Sequence, residues 1–243
     1  MPLARAEGFA NFNAMIETMK KSLNSEIHKK VIEAMTTNET SFYRDLHPFE
    51  SLKSLILPAL ISRRAKDRRL NFWCGAASTG QEPYSISMML KEHFPTLSTW
   101  DVKFLATDLN TEVLDRARSG RYRQMEVNRG LPAPLLVKYF REKATLWEIH
   151  EDIRKMVDYK EMNLAENWLP MPRLDVVFLR NVMIYFDIDM KKKILAKIRS
   201  MLAPDGYLFL GGAETTVNLD EHFEPVVFGR ATCYRLVGAK SLG

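Results

Sequence analysis

A loop rich in small residues carries the first side chains whose types could do chemistry. Residues 74–80, Cys-Gly-Ala-Ala-Ser-Thr-Gly, join a predicted strand to a predicted helix, and small residues let a ligand approach the backbone closely. The loop has neither a Lys-Ser or Lys-Thr pair nor three spaced glycines, as phosphate-binding loops do. Glu82, at the start of the helix, complements the helix dipole but repels a pyrophosphate. The motif predicts a cationic or neutral ligand near Gly75 and Glu82.

Asp108 ends a second predicted strand, 33 residues after Gly75. An acid there can accept hydrogen bonds from both hydroxyls of a ribose, although the interval in dinucleotide folds is about 20 residues. The alternative is that Asp108 only caps the helix that follows. Together with a glycine loop that lacks phosphate chemistry, Asp108 favours a nucleoside without phosphates, for which S-adenosylmethionine is the leading candidate.

A third motif follows an apolar strand and combines polar and aromatic residues in Arg-Asn-Val-Met-Ile-Tyr-Phe, residues 180–186. The alternative interpretation makes Tyr185 and Phe186 core aromatics, with the tyrosine hydroxyl reaching water. The residues alone predict a nucleoside-binding α/β enzyme.

The segments that must position these motifs alternate between strand and helix from residue 69 onward. Apolar runs predict strands at 70–73, 102–105, 176–179 and 207–210, and helices fit 83–94, 111–118 and 188–202. This alternation predicts a mainly parallel sheet with right-handed crossovers and helices on both faces. Ligands of such sheets bind beyond the carboxyl ends of the strands.

Two later segments depart from this alternation. Residues 120–162 are long for one crossover, and 147–149 and 156–159 are typical of extra strands, which indicates a small β insertion. Residues 225–237 predict a hairpin around Gly229, which gives the sheet an antiparallel end.

The N-terminal part is predicted to be helical. Residues 9–35 form a helix or helix pair whose apolar face is Phe12, Met15, Ile16, Met19, Leu23 and Ile27. A further helix begins at Pro48 and runs to Leu60, with Pro58 as the place for a bend. The polar and aromatic stretch between them, 35–44, is typical of a linker. We divide the chain into a short helical region with linker, 1–45, and an α/β domain, 46–243, with a β subdomain at about 120–155.

Composition limits the classes of protein. The 243 residues are 46% hydrophobic and 27% charged, which suits one large domain with an appendage. No apolar run approaches the roughly 18 residues of a membrane span, and no signal-peptide pattern begins the chain. Cys74 and Cys233 are isolated and the histidines lack metal-ligand spacing. We therefore expect a cytoplasmic protein without a metal and without membrane insertion.

The net charge of +5 is concentrated near the N-terminus. Residues 1–70 contain 12 basic against 8 acidic residues, and residues 71–243 contain 23 against 22. This excess favours an acidic partner, either nucleic acid or an acidic protein surface.

Five segments, in order, closely resemble the CheR family of chemotaxis receptor methyltransferases. They are Thr-Thr-Asn-Glu-Thr-Ser-Phe-Tyr-Arg at 36–44, Ser-Thr-Gly-Gln-Glu-Pro-Tyr-Ser at 78–85, Ala-Thr-Asp at 106–108, Asn-Leu at 163–164, and residues 180–186. The resemblance covers about residues 33–237. It implies a class I S-adenosylmethionine-dependent methyltransferase fold, with a Rossmann-like, mainly parallel seven-stranded sheet. It also implies a protein-glutamate O-methyltransferase that acts on the cytoplasmic helical bundle of chemoreceptors and releases S-adenosylhomocysteine.

The resemblance also implies roles for single residues. Those at the cofactor and acceptor cavity are Asn38, Thr40, Arg44, Gly75, Glu82 at the methionine end, Asp108 at the ribose, Asn163 and Leu164 at the adenine, and Arg180 and Asn181 in the wall. Tyr185 should face the reacting methyl group, and Arg44 and Tyr185 are the expected catalytic residues. A glutamate with a pKa near 4.3 is already ionised at neutral pH, so no general base is required. Positioning, worth about 7–11 kcal/mol for well-oriented reactants, is the task that remains.

The sequence departs from the family in two places. Only about 35 residues precede the Thr-Thr-Asn motif, so we expect the basic receptor-docking helix to be shortened, rebuilt or cut away, and the sequence leaves these alternatives open. Residues 139–147 lack the glycine-containing loop of members that bind a receptor's C-terminal pentapeptide. We expect a pentapeptide-independent enzyme.

Two rival functions belong to other classes. A nucleic-acid amino methyltransferase usually has Asp or Asn followed by Pro-Pro-Tyr after the fourth strand, where this chain has Arg-Asn-Val-Met at 180–183. We therefore expect no nucleic-acid partner. A catalytically silent cofactor-binding module is the second rival, although Arg44, Glu82, Asp108 and Tyr185 are all retained.

Overall fold

The computed structural model describes residues 2–21, 26–35 and 38–239. It divides into two compact units, Met1–Glu39 and Thr40–Gly243. The smaller unit contains helices α1 Pro2–Ala6, α2 Phe12–Lys21 and α3 Glu26–Met35. The helix pair predicted for 9–35 is thus confirmed. Met15 and Ile27 of its apolar face are buried, Phe12 is 42% exposed, and Leu23 lies outside the described residues. The predicted domain boundary at 45/46 stays a prediction.

The larger unit is built on a seven-stranded sheet in the order β6-β2-β1-β7-β8-β10-β9. The strands are β1 Arg69–Gly75, β2 Asp101–Asp108, β3 Arg121–Arg123, β4 Phe140–Lys143, β5 Leu146–Ile149, β6 Asp158–Glu161, β7 Leu174–Leu179, β8 Leu202–Leu210, β9 Phe223–Phe228 and β10 Ala231–Leu236. The five strands from β6 to β8 pair in parallel, whereas β10 is antiparallel to β8 and β9. The predicted class I fold is confirmed.

The larger unit also contains helices and helical turns. In chain order they are α4 His47–Ser51, the π-helical turn Leu52–Ile56, α5 Leu57–Arg63, α6 Gln81–His93, the 3-10 turn Pro95–Thr99, α7 Thr111–Ser119, α8 Gln124–Val127, α9 Ala133–Tyr139, α10 Glu151–Arg154, the 3-10 turn Met183–Tyr185 and α11 Ile188–Met201. The helix predicted from Pro48 continues through a π-helical turn, in which the Leu57 N–H donates to the Leu52 carbonyl. The turn ends two residues before Pro58, which has no N–H to donate.

The central strands β1 and β7 are buried almost throughout because helices cover both faces of the sheet. On one face the Phe178 ring stacks on Phe209 at 4.4 Å. Phe42 is fully buried in the same core and packs edge-on against Tyr122 and Phe140 at 5.1 and 5.7 Å. The interpretation of residues 35–44 as only a linker is therefore wrong at Phe42, because the side chain of Phe42 is part of the core.

The insertion between β2 and β6 contains a small separate sheet in the order β3-β5-β4. The predicted strand 147–149 lies in β5, whereas the strand predicted at 156–159 overlaps β6, the edge strand of the main sheet. The C-terminal hairpin turns through Gly229, at φ +58°, and Arg230. A two-residue loop with a positive φ matches the twist of the flanking strands.

The parallel strands β6, β2, β1 and β7 all end at one edge of the sheet, here termed the carboxyl edge; the opposite edge is the amino edge. The last residues of these four strands and the segments that follow them carry most of the predicted site residues. None of the described helices combines the length and the apolar composition that crossing a membrane requires.

Candidate active site at the carboxyl edge

Asp108 is the buried last residue of β2. Its Oδ2 accepts the backbone N–H of Ser78 at 2.8 Å and its Oδ1 accepts that of Asn110 at 2.9 Å. The cap of α7 is Asn110, whose side chain accepts the N–H groups of Glu112 and Val113. The alternative that Asp108 caps this helix is therefore wrong. Its carboxylate instead lies at the edge, between the loops after β1 and β2.

Three charged side chains from three elements meet beside this position. Arg180, after β7, donates from Nη1 to Glu82 Oε1 and from Nη2 to Asp45 Oδ2, each at 2.6 Å. Burial lowers the pKa of Arg180, but Glu82 and Asp45 outweigh burial and hold its pKa above the ordinary value. The guanidinium therefore stays charged between two carboxylates. Its buried Nε has no hydrogen-bond partner among the described residues.

Cys74, near the end of β1, donates its thiol to Glu82 Oε2 at 3.2 Å. Burial raises the pKa of this thiol well above its usual value, and the Glu82 charge raises it further. The thiol is therefore a neutral donor, and both oxygens of Glu82 have partners.

The backbone at this edge is strained at several non-glycine residues. Ala76 and Ser78 after β1 have φ of 53° and 50°, Asn181 after β7 has 59°, and Tyr43 and Asp45 have 47° and 63°. Each such residue costs on the order of 1–3 kcal/mol and persists only where surrounding contacts hold it. Strain of this kind clusters at functional sites.

Glu214, which follows β8, holds residues 180–186, here termed the β7 loop. Its Oε2 accepts the N–H groups of Asn181 at 2.8 Å and Gly211 at 2.6 Å. Its Oε1 accepts those of Val182 at 2.9 Å and Ile184 at 3.3 Å. Sequence reasoning missed Glu214 and Asp45. The signal for Glu214 was an acid closely following the apolar strand 207–210, at the edge where the other motifs lie.

Tyr185 lies in the β7 loop and is 59% exposed. The alternative that it is a core aromatic is therefore wrong, whereas Phe186 packs against the core. After β6, Asn163 accepts the Ala165 N–H at 3.0 Å, and the buried Leu164 packs in the core. These contacts close a turn at the end of β6.

Gly75 ends β1, and an added Cβ there would lie 2.7 Å from Leu179 Cδ1 and 2.9 Å from the Trp73 ring. A larger residue there would have to displace the buried side chains of Leu179 and Trp73. Thr40 and Arg44 are half-buried in the larger unit, and Asn38 is half-buried in the smaller one. The structure therefore brings Glu82 and Arg180 into direct contact and puts Gly75, Asp108, Asn163, Leu164 and Asn181 at the same edge.

These residues fit a nucleoside that carries a positive charge. Asp108, Glu82 and Asp45 supply three carboxylates against the Arg180 guanidinium, and the partnerless Nε of Arg180 is a buried donor for an anionic group. S-adenosylmethionine has a sulfonium, a ribose and an amino-acid end, which matches this donor set. The described residues contain no cluster of three or more His, Cys, Asp or Glu that could hold a metal ion.

Residues 38–231 match the family model described as "CheR methyltransferase, SAM binding domain". The chain belongs to the CheR methyltransferase family. It is 37% identical over 229 residues to "Chemotaxis protein methyltransferase Cher2" of Pseudomonas putida, covering 92% of this chain and 82% of the relative. It is 36% identical over 237 residues to "Chemotaxis protein methyltransferase 1" of Pseudomonas aeruginosa, covering 96% and 86%.

As a member of the CheR family, the chain is a methyltransferase whose cofactor is S-adenosylmethionine, so the predicted family and cofactor are confirmed. The cofactor supplies a methyl group activated by its positive sulfur. The chain's own residues must bind and orient it. The separate roles assigned to the site residues stay predictions.

Proposed function

We propose that this CheR-family enzyme methylates glutamate side chains on the cytoplasmic domain of chemoreceptors, giving glutamate methyl esters and S-adenosylhomocysteine. The observation that carries the proposal is that the acids at the carboxyl edge are committed to partners. Glu82 is bonded to Arg180 and Cys74, and Asp108 to two backbone N–H groups. An amine or hydroxyl acceptor would need a base to remove its proton, whereas a glutamate is already ionised at neutral pH.

The proposed roles follow the strand ends. Asp108 binds the ribose, Asn163 and Leu164 border the adenine, and Glu82 lies at the positively charged methionine end. Thr40 and Asn181 complete the cofactor wall with Gly75 and Arg180.

Arg44 and Tyr185 are proposed to orient the acceptor. A guanidinium can hold a carboxylate by two hydrogen bonds, but an ion pair stronger in the ground state than in the transition state would slow transfer. Arg44 is therefore a positioning residue that performs no proton transfer, and Tyr185 faces the methyl group that is transferred.

The partner is proposed to be a chemoreceptor in the cytoplasm, bound without a C-terminal pentapeptide tether. The turn between β4 and β5 supports this independence, since it consists of Ala144 and Thr145 alone. Calorimetry with the pentapeptide tests it, and we expect no binding. Tight binding would contradict this part of the proposal.

Transfer of labelled methyl from S-adenosylmethionine tests the proposal directly. Purified receptor cytoplasmic domains, duplex DNA and RNA are compared as acceptors, and the product is treated with mild base. We expect label in the receptor only, lost in base because carboxyl esters hydrolyse readily. Base-stable label, or label in nucleic acid, would contradict the proposal. Cofactor binding without transfer to any receptor, the cognate one included, would favour a silent binding module.

A further inference from the structure

The Glu214 carboxylate uses all its hydrogen-bonding capacity on backbone. A carboxylate has about four acceptor positions, and Glu214 fills them with four N–H groups, three of which belong to the β7 loop. That loop carries Tyr185. Glu214 therefore connects the end of β8 to the exposed side chain that is proposed to face the reacting methyl group.

The surroundings of Glu214 are shaped for this contact. An added Cβ at Gly211 would lie 2.8 Å from Glu214 Oε2 and 2.7 Å from Asn181 Nδ2. Only glycine there lets the carboxylate approach the loop. The Tyr234 hydroxyl, on β10, reaches the Glu214 carbonyl at 3.5 Å, and the glutamate is only 9% exposed. The Glu214 carboxylate is therefore bonded to the Gly211 N–H at the end of β8, and its backbone carbonyl accepts the Tyr234 hydroxyl from β10.

The β7 loop also needs such a partner. Asn181 has a φ of 59°, a conformation that surrounding contacts must maintain. Its N–H and that of Val182, the next residue, both donate to Glu214. Without the acid, these N–H groups lose their partner, and the backbone leading to Tyr185 loses the contact that fixes its direction.

We propose that Glu214 is a positioning residue for methyl transfer, which acts by fixing the β7 loop and thereby Tyr185. This rests on the proposed function. Glu214 touches neither cofactor nor acceptor in this role. The loop also carries Arg180 and Asn181 of the proposed cofactor wall, but Asp108 and Glu82, which are proposed to hold the ribose and the methionine end, lie on other elements. We therefore expect Glu214 to affect turnover more than cofactor affinity.

The test replaces Glu214 by Gln. One carboxylate oxygen, which accepts two backbone N–H groups, then becomes an NH₂ group, whose two N–H donors cannot accept them. We expect kcat for receptor methylation to fall about 10-fold or more, with KM for the receptor and Kd for S-adenosylhomocysteine changed less than about 3-fold. The matched control is Glu221→Gln, an exposed acid in the same segment, which should leave kcat unchanged. Gly211→Ala is a second variant that displaces the carboxylate without removing it, and it should show the same loss.

A double-mutant cycle asks whether Glu214 acts through Tyr185. Tyr185→Phe should cost much less in the Glu214→Gln background than in the wild type, because residues that act as a unit are not additive. Additive losses, or a Glu214→Gln enzyme with wild-type kcat, would overturn the proposal.

Hydrogen exchange provides a measurement that does not depend on methyl transfer. In the free protein, exchange of the amides of residues 181–184 should be about 10-fold faster in Glu214→Gln and unchanged in Glu221→Gln. Unchanged exchange in Glu214→Gln would overturn the inference. If the wild type methylates no receptor, the proposed function fails, whereas exchange still decides whether Glu214 fixes the loop.

Discussion

Two arginines, one at each edge of the sheet, each join two carboxylates. They differ in how many of their guanidinium nitrogens have a hydrogen-bond partner. At the amino edge, Arg64 bonds Asp175 from Nε at 3.0 Å and Asp205 from Nη1 and Nη2 at 3.1 and 2.5 Å. Asp175 also accepts the Asn71 N–H at 2.8 Å. At the carboxyl edge, Arg180 has one bond to each acid, and its buried Nε has no partner among the described residues.

This difference separates a structural cluster from one prepared for a ligand. Arg64 joins the end of α5 to the first halves of β7 and β8, so its bonds serve the packing of the sheet. Arg180 lies among strained residues, with Asn181 beside it and Asp45 bonded to it at positive φ. A partly satisfied buried polar network is costly. We infer that the Arg180 cluster gives up local stability for binding, whereas each nitrogen of the Arg64 guanidinium has a carboxylate partner.

The largest expected effect on stability comes from removing Arg64 from its cluster with Asp175 and Asp205. Arg64→Met leaves Asp175, whose side chain is only 5% exposed, without its counter-charge. Breaking a buried ion pair from one side costs about 3 kcal/mol or more, and we expect a fall of that size in the free energy of unfolding, measured by urea denaturation. Binding of S-adenosylhomocysteine at the other edge should be unchanged below the transition.

Arg69→Met is the matched control for that variant. Arg69 pairs with Asp101 at 2.9 Å, also at the amino edge, but both side chains are about half exposed, at 60% and 46%. Exposed pairs contribute up to about 1 kcal/mol. Equal losses in the two arginine variants would contradict the structural role assigned to the Arg64 cluster.

The next effect concerns the carboxyl edge alone. Asp108→Asn removes the charge that is proposed to accept the ribose hydroxyls, and charge-assisted hydrogen bonds are about twice as strong as neutral ones. We expect S-adenosylhomocysteine to bind about 100-fold more weakly by calorimetry. Asp101→Asn, at the opposite end of the same strand, should bind as the wild type does. Wild-type affinity in Asp108→Asn would place the ribose elsewhere.

A smaller effect is expected at Tyr185. Tyr185→Phe removes one hydroxyl from a side chain that is 59% exposed, so stability should not change. Loss of one hydrogen bond near the reacting centre corresponds to about a 10-fold fall in kcat. Methylation kinetics under saturating cofactor provide the measurement. Unchanged kcat would remove Tyr185 from the proposed acceptor site.

The strands and the edge were predictable because apolar runs and strand-helix alternation follow from burial on both faces of a parallel sheet. Gly75, Glu82, Asp108 and Arg180 could be assigned to one edge for the same reason. The ion-pair partners could not be predicted, since Asp45 and Arg180 are 135 residues apart. Nothing in a single sequence indicates that two residues so far apart in the chain are in contact.

Glu214 and Asn110 show two further limits of sequence reasoning. Asp108 and Asn110 are both good capping residues, and only the backbone geometry decides that Asn110 caps α7. Glu214 acts on backbone N–H groups, which every loop has, so no complementary side chain points to it. Contacts to main chain are therefore the part of the site that sequence reasoning misses most readily.

The smallest expected effect is a pH dependence of stability at the amino edge. Although burial acts to raise it, Arg64 holds the pKa of Asp205 below its ordinary value, so ionised Asp205 stabilises the folded state. That contribution is present above the unfolded pKa, near 3.9, and is lost as pH falls through the lower folded value. Burial raises the pKa of Asp175, and the contribution of Asp175 therefore changes in the opposite direction.

Asp205→Asn tests the contribution of Asp205 alone, because it removes the charge of Asp205 and keeps Asp175. The wild type should exceed this variant in free energy of unfolding by about 1 kcal/mol at pH 6, and the difference should shrink below about pH 4. A difference that stayed constant to pH 3 in urea denaturation would mean that Asp205 contributes through packing and not through its charge.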